Sequence, residues 1–586
     1  MPGEKKKEKE SAFNMRKQTK LVAALTTTAV LALGASMTSL AATNWVFEDG
    51  VWVYYDADGD RVTDEWKRSG SNWYWLNEDG EMATETLVED DDDYYYVDAE
   101  GCMVTGQWVA IENEDYDGDD EDEPENHWYY FGANGKAYQA SSSSTSANFK
   151  LINGERYIFD DEGKMLYGWI NEDGDRETGD EDWQTGLYYC GDENDGRRRN
   201  SEWEYLDITD ESYESVVDGA ASPNVYDDED QTRWFWFKSN GKKVHAEDGD
   251  KYEDETIKGK KYSFDCYGRM NSAWVMTGTS SNAVASSSNA YYGQGGPEYS
   301  MDWQYFGDPE DGARLTKGWF QAVPDELLHE SKYDDGSAYW YYSDNDGNLV
   351  AGEIKTIEGK KYAFDGYGRM RTGYIGIKFE VDENGNESTK KIDSIIYSDD
   401  SVHPFDTEDD FNENMGSILE DGYKMYYFDA DGVMQTGKQT LSIDGDDYTF
   451  EFSKSGSSKG QGKNGEDDDK YYIGGLMLKA DRDDKYEVVK IVKDETVGTL
   501  CDLLSTEEFL AEAEKLDAVT KEVPSDEDPD DYSEYYQIDA SKFVNVDYKV
   551  VNTSGKVIDT KSKAKDGDDR CYEVKNEVIK AVYVED

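Results

Sequence analysis

The side chains in this sequence best suited to binding chemistry are Trp and Tyr, which recur in short clusters followed by an acidic turn. The 586-residue chain has 16 Trp and 45 Tyr. The face of an aromatic ring attracts a quaternary ammonium, with each contact contributing about 0.5–2 kcal/mol, and the same rings stack on pyranose sugars. Clear copies are VWVYYDADGDRVTDEW (51–66), NWYWLNEDGEMAT (72–84), YYYVDAEGCMVTGQW (94–108) and RYIFDDEGKMLYGW (156–169). The pattern predicts a protein that binds ligands through aromatic faces.

The acidic turns suggest calcium as an alternative ligand. Asp-x-Asp-Gly occurs at 56–59, 344–347 and 429–432. An EF-hand loop has Gly at its sixth position and Glu at its twelfth, whereas Gly here is the fourth residue, as a tight hairpin turn requires. We therefore interpret these segments as turns and predict no metal site.

Residues for catalysis are harder to find. The four histidines, His127, His245, His329 and His403, are far apart, and the sequence has no HExxH or CxxC motif. A pair of catalytic carboxylates cannot be identified by sequence among 131 acidic residues. We expect no catalytic residues, no cofactor and no enzymatic activity, with a hydrolase in the C-terminal region as the open alternative.

Each aromatic cluster with its turn predicts a β-hairpin. Val51 to Tyr55 is an aromatic and β-branched run typical of a strand, and Arg61 begins the return. The turn glycines Gly59, Gly80 and Gly101 lie 21 residues apart. A single two-stranded hairpin is marginally stable, so neighbouring copies must stack on one another, as in solenoids.

We therefore predict an all-β fold, an elongated solenoid of stacked hairpin repeats of about 20 residues, with acidic or serine-rich loop insertions. The repeat array is predicted over 43–478 and a divergent repeat-like tail over 479–586. The tail holds the one predicted helix, at 505–519, and an acidic linker at 522–536. A small independent domain is the alternative for the tail.

The N-terminus predicts secretion. Arg16, Lys17 and Lys20 precede an apolar run over 21–37, and Ser39-Leu40-Ala41 resembles a cleavage site. We predict a signal peptide over 1–42, with Met15 as a candidate start, and no transmembrane span in the mature chain. The formal net charge of −71 would repel nucleic acid, and the five scattered cysteines do not suggest a disulfide framework.

The order W-x-x-x-(G)-x-W-Y-Y-F/L-D-x-x-G-x-M-x-T-G-W resembles the cell-wall-binding repeats of Gram-positive surface proteins. These are the choline-binding modules of autolysins and adhesins and the related glucan-binding repeats. The resemblance implies that two aromatic residues of one hairpin and one of the next enclose a trimethylammonium group. The matching positions are Trp66, Trp108, Trp169 and Trp319 for the Gly-Trp motif, and Trp73, Trp128 and Trp340 with Tyr74, Tyr129 and Tyr341 for Trp-Tyr-Tyr.

The resemblance implies cages such as Trp66 with Trp73 and Tyr95, or Trp108 with Trp128. The same aromatic residues would also fill a thin hairpin core, which is the structural alternative for each of them. The GKKYxFDxYGRM copies at 259–270 and 359–370 are more similar to the glucan-binding type. The ligand is thus left open between choline and glucan.

Two function classes follow from the resemblance. The first is a non-catalytic secreted protein of the cell surface that binds choline-bearing teichoic acid or wall polysaccharide. The second is a secreted glucan-binding targeting protein or adhesin, not anchored through choline, whose partners include host surface glycans or proteins.

Overall fold

The computed structural model describes residues 44–586 except 117, 119–122, 142–145, 209–230, 248–251, 277–296, 397–404, 406, 444, 495–497 and 526–527. The predicted signal peptide lies outside these residues. The chain forms two compact units. One comprises the described residues up to Val275 together with Phe306–Arg314, and the other comprises Met276–Tyr305 with Leu315–Asp586.

The first unit is a series of antiparallel hairpins, each forming its own two-stranded sheet. The paired strands are Trp45–Glu48 with Val51–Tyr54, Glu65–Ser69 with Asn72–Leu76, Thr86–Asp90 with Asp93–Val97, Gln107–Glu112 with Asn126–Phe131, Lys150–Ile152 with Glu155–Tyr157, Trp169–Ile170 with Tyr188–Tyr189, Glu202–Ile208 with Gln231–Phe237, and Glu253–Ile257 with Lys260–Phe264. The next strands along the chain are Ala273–Met276, mostly in the first unit, and Trp303–Phe306, mostly in the second.

The second unit begins with the hairpin Gly318–Ala322 and Tyr339–Ser343 and then builds larger antiparallel sheets. In spatial order, the first sheet has the five strands Lys360–Phe364, Glu353–Ile357, Glu387–Ile396, Gly373–Val381 and Lys424–Phe428, and the second has the five strands Gly437–Ile443, Asp446–Phe452, Leu476–Met477, Lys470–Ile473 and Gly465–Asp467. The third sheet has the three strands Gly498–Leu504, Tyr486–Asp494 and Val546–Asn552. The last has the five strands Val519–Thr520, Tyr532–Ile538, Val578–Glu585, Arg570–Lys575 and Lys561–Lys565.

The hairpin prediction is confirmed, and the described chain is mainly β. The solenoid stays a prediction, as do the domain boundaries. In the tail, the predicted helix is confirmed as Thr506–Lys515, with a capping box between Ser505 and Glu508. This helix packs Phe509, Leu510 and Ala513 into a core shared with the surrounding strands. Across the described residues no helix is long and apolar enough to cross a membrane.

The prediction of a single helix is wrong, because the described residues contain five. The longest is Glu408–Glu420 in the second unit. Thr407 caps its N-terminus by accepting a hydrogen bond from the backbone N–H of Asp410. Phe411, Met415 and Ile418 lie on one buried face, and their spacing was the missed signal in an otherwise acidic segment. The other helices are Asp182–Thr185, Pro297–Met301 and Glu326–Asp334, with 3-10 turns at Pro529–Asp531 and Ala540–Lys542.

In the acidic turns, the first side chain accepts hydrogen bonds from backbone N–H groups of the same turn. The Oδ1 atom of Asp56 accepts hydrogen bonds from the N–H groups of Asp58 and Asp60, each at 2.9 Å. Gly59 has φ +86°, a conformation that glycine adopts without strain. Because the carboxylate is engaged in this way, the Asp-x-Asp-Gly segments fold as turns. The same bonding occurs at Asn77, Asp98, Asp344, Asp365 and Asp429.

Consecutive hairpins are joined through the residue two positions after each turn glycine. The backbone N–H of Met82 donates to the Trp52 carbonyl at 2.8 Å, and that of Met103 donates to the Trp73 carbonyl at 2.9 Å. The side chain of Met82 lies against Gly101, the glycine of the following turn. A side chain at Gly101 would collide with it, which explains why glycine and methionine recur together in the repeat.

Replacing Gly80 with alanine should therefore destabilise the first unit more than the same change at Gly59. Both glycines have positive φ, so alanine at either position costs about 1–2 kcal/mol in backbone strain. A Cβ at Gly80 would also lie 2.8 Å from the Val62 carbonyl oxygen, while a Cβ at Gly59 meets nothing within 4 Å. We expect an additional loss of about 1–3 kcal/mol for Gly80→Ala, measured by urea unfolding. Equal losses in the two variants would contradict this coupling of the hairpins.

Candidate functional site

A cluster of three aromatic rings forms where one hairpin meets the next. Trp66 is the second residue of its strand, and the strand register places Trp75 directly across from it. Tyr95, from the following hairpin, completes the group. The ring centroids of Trp75 and Tyr95 lie 5.3 and 5.1 Å from that of Trp66. All three rings are partly exposed, so their faces border solvent.

The same arrangement occurs six times in the described residues, and we call each instance a three-ring cluster. Centroid distances from the central Trp range from 4.8 to 5.5 Å, and interplanar angles from 56° to 79°. The other five clusters are Trp45 with Tyr54 and Tyr74, Trp108 with Tyr130 and Tyr157, Trp169 with Tyr189 and Phe235, Trp203 with Trp236 and Tyr262, and Trp319 with Tyr342 and Tyr362.

A fourth side chain belongs to each cluster by position. Each cluster takes two rings from one hairpin and the third ring from the next hairpin. The fourth residue lies two positions after the turn glycine of the hairpin that provides the third ring. In five of the clusters this residue is methionine, a polarisable side chain that contacts aromatic rings favourably. In the Trp45, Trp108, Trp203 and Trp319 clusters this methionine packs in the same hydrophobic cluster as the central Trp. In cluster order the fourth residues are Met82, Met103, Met165, Lys243, Met270 and Met370.

The clusters differ in how open they are. Every ring is partly exposed in the Trp66 and Trp108 clusters, whereas only the central Trp is partly exposed in the Trp203 and Trp319 clusters. Trp45 and Trp169 are buried. The Trp66 and Trp108 clusters are thus the best placed to take a ligand from solvent.

The chemistry of an open cluster favours a soft cation. Burial raises the pKa of Tyr95 and of Tyr157 above the ordinary value, so both hydroxyls are neutral at physiological pH. The attraction comes from the ring faces, which suit a quaternary ammonium. Within the described residues, no group of three or more His, Cys, Asp or Glu side chains is arranged to hold a metal ion.

Five of the predicted site residues lie in three-ring clusters at the positions expected of them, and their role in ligand binding stays a prediction. Trp66, Trp108, Trp169 and Trp319 are the central rings of four clusters, and Tyr95 is a cluster wall.

Tyr74 also lies in a cluster, but in the one centred on Trp45. Tyr129 and Tyr341 are buried. Tyr129 packs near Leu87 of the preceding hairpin, and Leu87 has the position that the central Trp has in other hairpins. Tyr341 stacks on Phe320. These two tyrosines act as core residues.

The remaining predicted residues are neighbours of a cluster. Trp73 faces Arg68, not Trp66, so the ring opposite Trp66 is Trp75 instead of the predicted Trp73. Trp128 likewise faces Ala110 and packs beside the Trp108 cluster. Trp73 and Trp340 remain 39% and 45% exposed. Each of these three precedes a cluster residue by two positions, on the same face of its strand.

Four tryptophans of the clusters were not predicted, namely Trp45, Trp75, Trp203 and Trp236. Most of the tyrosines in the clusters, and Phe235, were not predicted either. The signal for Trp75 was its alternation with Trp73 along one strand. Trp203 is not preceded by glycine, and its partner Trp236 follows a long insertion, which hid the pair.

The Trp66 cluster and Met103 lie together in one segment that a family model recognises. The model for the choline-binding repeat matches residues 62–103, and the model for the cell wall binding repeat matches 125–137 and 419–434. Residues 62–103 are thus similar to a choline-binding repeat, and 125–137 and 419–434 are similar to cell wall binding repeats. The second match, 125–137, contains Tyr130 of the Trp108 cluster. No curated protein sequence matches the chain.

Solved structures of choline-binding proteins align with part of this chain. Choline binding protein F from Streptococcus pneumoniae is 17% identical, with 72% of this chain and 98% of that chain covered and a TM-score of 0.29. The choline-binding domain of CbpL from the same organism is 17% identical, with 54% and 98% covered and a TM-score of 0.22. The modular autolysin LytC is 17% identical, with a TM-score of 0.28. Its alignment covers 59% of this chain and 56% of the autolysin.

Proposed function

We propose that this protein is a non-catalytic secreted protein of the cell surface, and that its open three-ring clusters bind choline on wall teichoic acid. The observation that carries the proposal is the Trp66 cluster. Its three rings are partly exposed, and the ring centroids of Trp75 and Tyr95 lie 5.3 and 5.1 Å from that of Trp66. The choline-binding repeat model matches the segment that contains all three.

The energetics suit a polymeric ligand better than a single small molecule. Each ring contact with an ammonium contributes about 0.5–2 kcal/mol, so one cluster binds choline weakly. A polymer that carries many choline groups engages several clusters at once, which raises avidity by about 10²–10⁴. The formal net charge of −71 adds a general attraction for cations.

A sedimentation assay with purified cell walls tests the proposal. The protein is mixed with walls that carry choline-bearing teichoic acid and with the same walls stripped of teichoic acid. We expect it to sediment with the intact walls only, and free choline to release it. Sedimentation that persists after stripping and resists choline would reject choline as the ligand.

A second candidate function is binding of wall or host glycans, favoured by the exposed indoles of Trp73 and Trp340. Flat exposed rings beside the clusters suit stacking on pyranose sugars. In the same assay, retention on dextran or stripped walls that is lost in Trp73→Ala but unaffected by choline would support this candidate.

The non-catalytic part of the proposal is supported by the wide separation of the four histidines along the sequence and by the absence of HExxH and CxxC motifs. A zymogram of the whole protein in a gel that contains cell walls tests it. We expect no clearing, and a cleared band would establish a hydrolase.

A further inference from the structure

One of the six clusters carries a basic residue where the other five carry methionine. At the Trp169 cluster the fourth residue is Lys243, two positions after the turn glycine Gly241. Its Nζ atom lies 4.9 Å from the ring centroid of Trp169 and 5.9 Å from that of Phe235. The lysine is 4% exposed, so its ammonium sits inside the cluster.

The ammonium is also hydrogen-bonded. Nζ donates to the carbonyl of Trp183 at 2.5 Å and more weakly to that of Gln184 at 3.4 Å. Both carbonyls belong to the short helix Asp182–Thr185, which lies between the two strands of the Trp169 hairpin. A buried charge is costly unless it is compensated, and two carbonyls and two ring faces compensate this one. An external cation would have to displace all of these interactions.

The preceding turn provides a parallel. Arg198 follows its turn glycine Gly196 by two positions, and its guanidinium lies 4.7 Å from the Phe149 ring and 6.0 Å from the Tyr188 ring. A basic residue at this position of the repeat therefore places its charge over aromatic rings in both cases.

We infer that Lys243 occupies the cation position of the Trp169 cluster and closes this cluster to external quaternary ammonium ligands. Beside the exposure of the rings, the residue two positions after the turn glycine thus determines whether a cluster can bind: methionine leaves the ring faces accessible to a ligand, and lysine occupies them. This inference rests on the proposed choline-binding function and sets how many of the clusters serve it.

The test is to exchange the two residue types and count choline sites by equilibrium dialysis. Lys243→Met should add one choline site per chain. The reciprocal change, Met103→Lys at the open Trp66 cluster, should remove one. Burial lowers the pKa of Lys243 to about 7, with Asp265 acting in the opposite direction, so the dialysis is done at pH 5.5, where the amine is protonated. An unchanged number of sites in a folded Lys243→Met protein would overturn the inference.

A second measurement needs no choline and separates this inference from the proposed function. The wild-type protein is acetylated briefly, and the modification of Lys243 is compared with that of Lys242, whose side chain is 39% exposed and paired with Glu172. We expect Lys242 to react and Lys243 to be protected. Modification of both at the same rate in the folded protein would overturn the inference, whereas protection without any choline binding by the wild type would contradict only the proposed function.

Discussion

Replacing Trp66 with alanine is expected to abolish choline binding at its cluster. The change removes the central ring, which contacts both Trp75 and Tyr95, and leaves two rings that no longer enclose a cation. Losing about 1.4 kcal/mol weakens binding tenfold, and the loss of one ring contact and the enclosure should reach at least that. Equilibrium dialysis should show one site fewer per chain, and retention on a choline-type amine resin should fall.

Leu87→Ala is the matched control for this change. Leu87 has the place in the next hairpin that Trp66 has in its own, and it pairs with Tyr96 as Trp66 pairs with Trp75. Truncating a partly buried leucine should lower stability without changing the number of choline sites. An equal loss of choline binding in both variants would show that Trp66 acts only through folding, and not as a wall of the site.

The largest effect on stability is expected at Asp365, in the second unit. Its carboxylate is buried and accepts hydrogen bonds from Arg369 Nε at 2.9 Å and Arg371 Nη2 at 2.5 Å. The Arg369 guanidinium also lies about 5 Å from the ring of Tyr339. Asp365→Asn would leave two guanidinium groups without their counter-charge, and breaking a buried ion pair from one side costs about 3–5 kcal/mol. Urea unfolding of the second unit measures this loss.

Asp429→Asn is the control, because Asp429 has the same place in its own turn. Its Oδ1 atom accepts the N–H groups of Asp431 and Val433, as the carbonyl oxygen of asparagine also can. Its Oδ2 atom accepts from the side-chain amide of Gln435, which can rotate to offer its own oxygen to the asparagine NH2 group. We expect little change in this variant. Equal effects at the two positions would show that the turn hydrogen bonds, and not the ion pairs, stabilise this region.

The stabilisation from Asp365 should depend on pH in one direction. Burial acts to raise the pKa of Asp365, but Arg371 and Arg369 outweigh it and hold the pKa below its ordinary value of 3.8. The carboxylate therefore contributes fully above the pKa of the unfolded chain, and its contribution is lost as the pH falls through the lower folded value. The difference in urea midpoint between wild type and Asp365→Asn should be large at pH 7 and shrink below about pH 3.8.

The local features of this fold could be predicted from the sequence because they depend on neighbouring residues. Turn glycines, Asx-type acceptors and the capping box at Ser505 are all encoded within a few positions. Strand register is not, and for that reason Trp73 was predicted as the partner of Trp66 in place of Trp75.

Long-range features were the least predictable. The Trp203 and Trp236 pair is separated by an insertion, and the second unit merges hairpins into five-stranded sheets. The position of Lys243 inside a ring cluster depends on three separate strands and a short helix. The sequence shows a lysine in place of methionine there, but only the packing shows where its charge lies.

The central claim is that the open three-ring clusters bind choline. A choline titration of the purified protein, followed by tryptophan fluorescence, tests it most directly, because Trp66, Trp75 and Trp108 lie in the two most open clusters. We predict a saturable change that is reproduced by other quaternary ammonium compounds and is reduced in Trp66→Ala. A titration with no change up to concentrations that saturate weak choline sites would contradict the claim and leave these tryptophans as core residues of the hairpins.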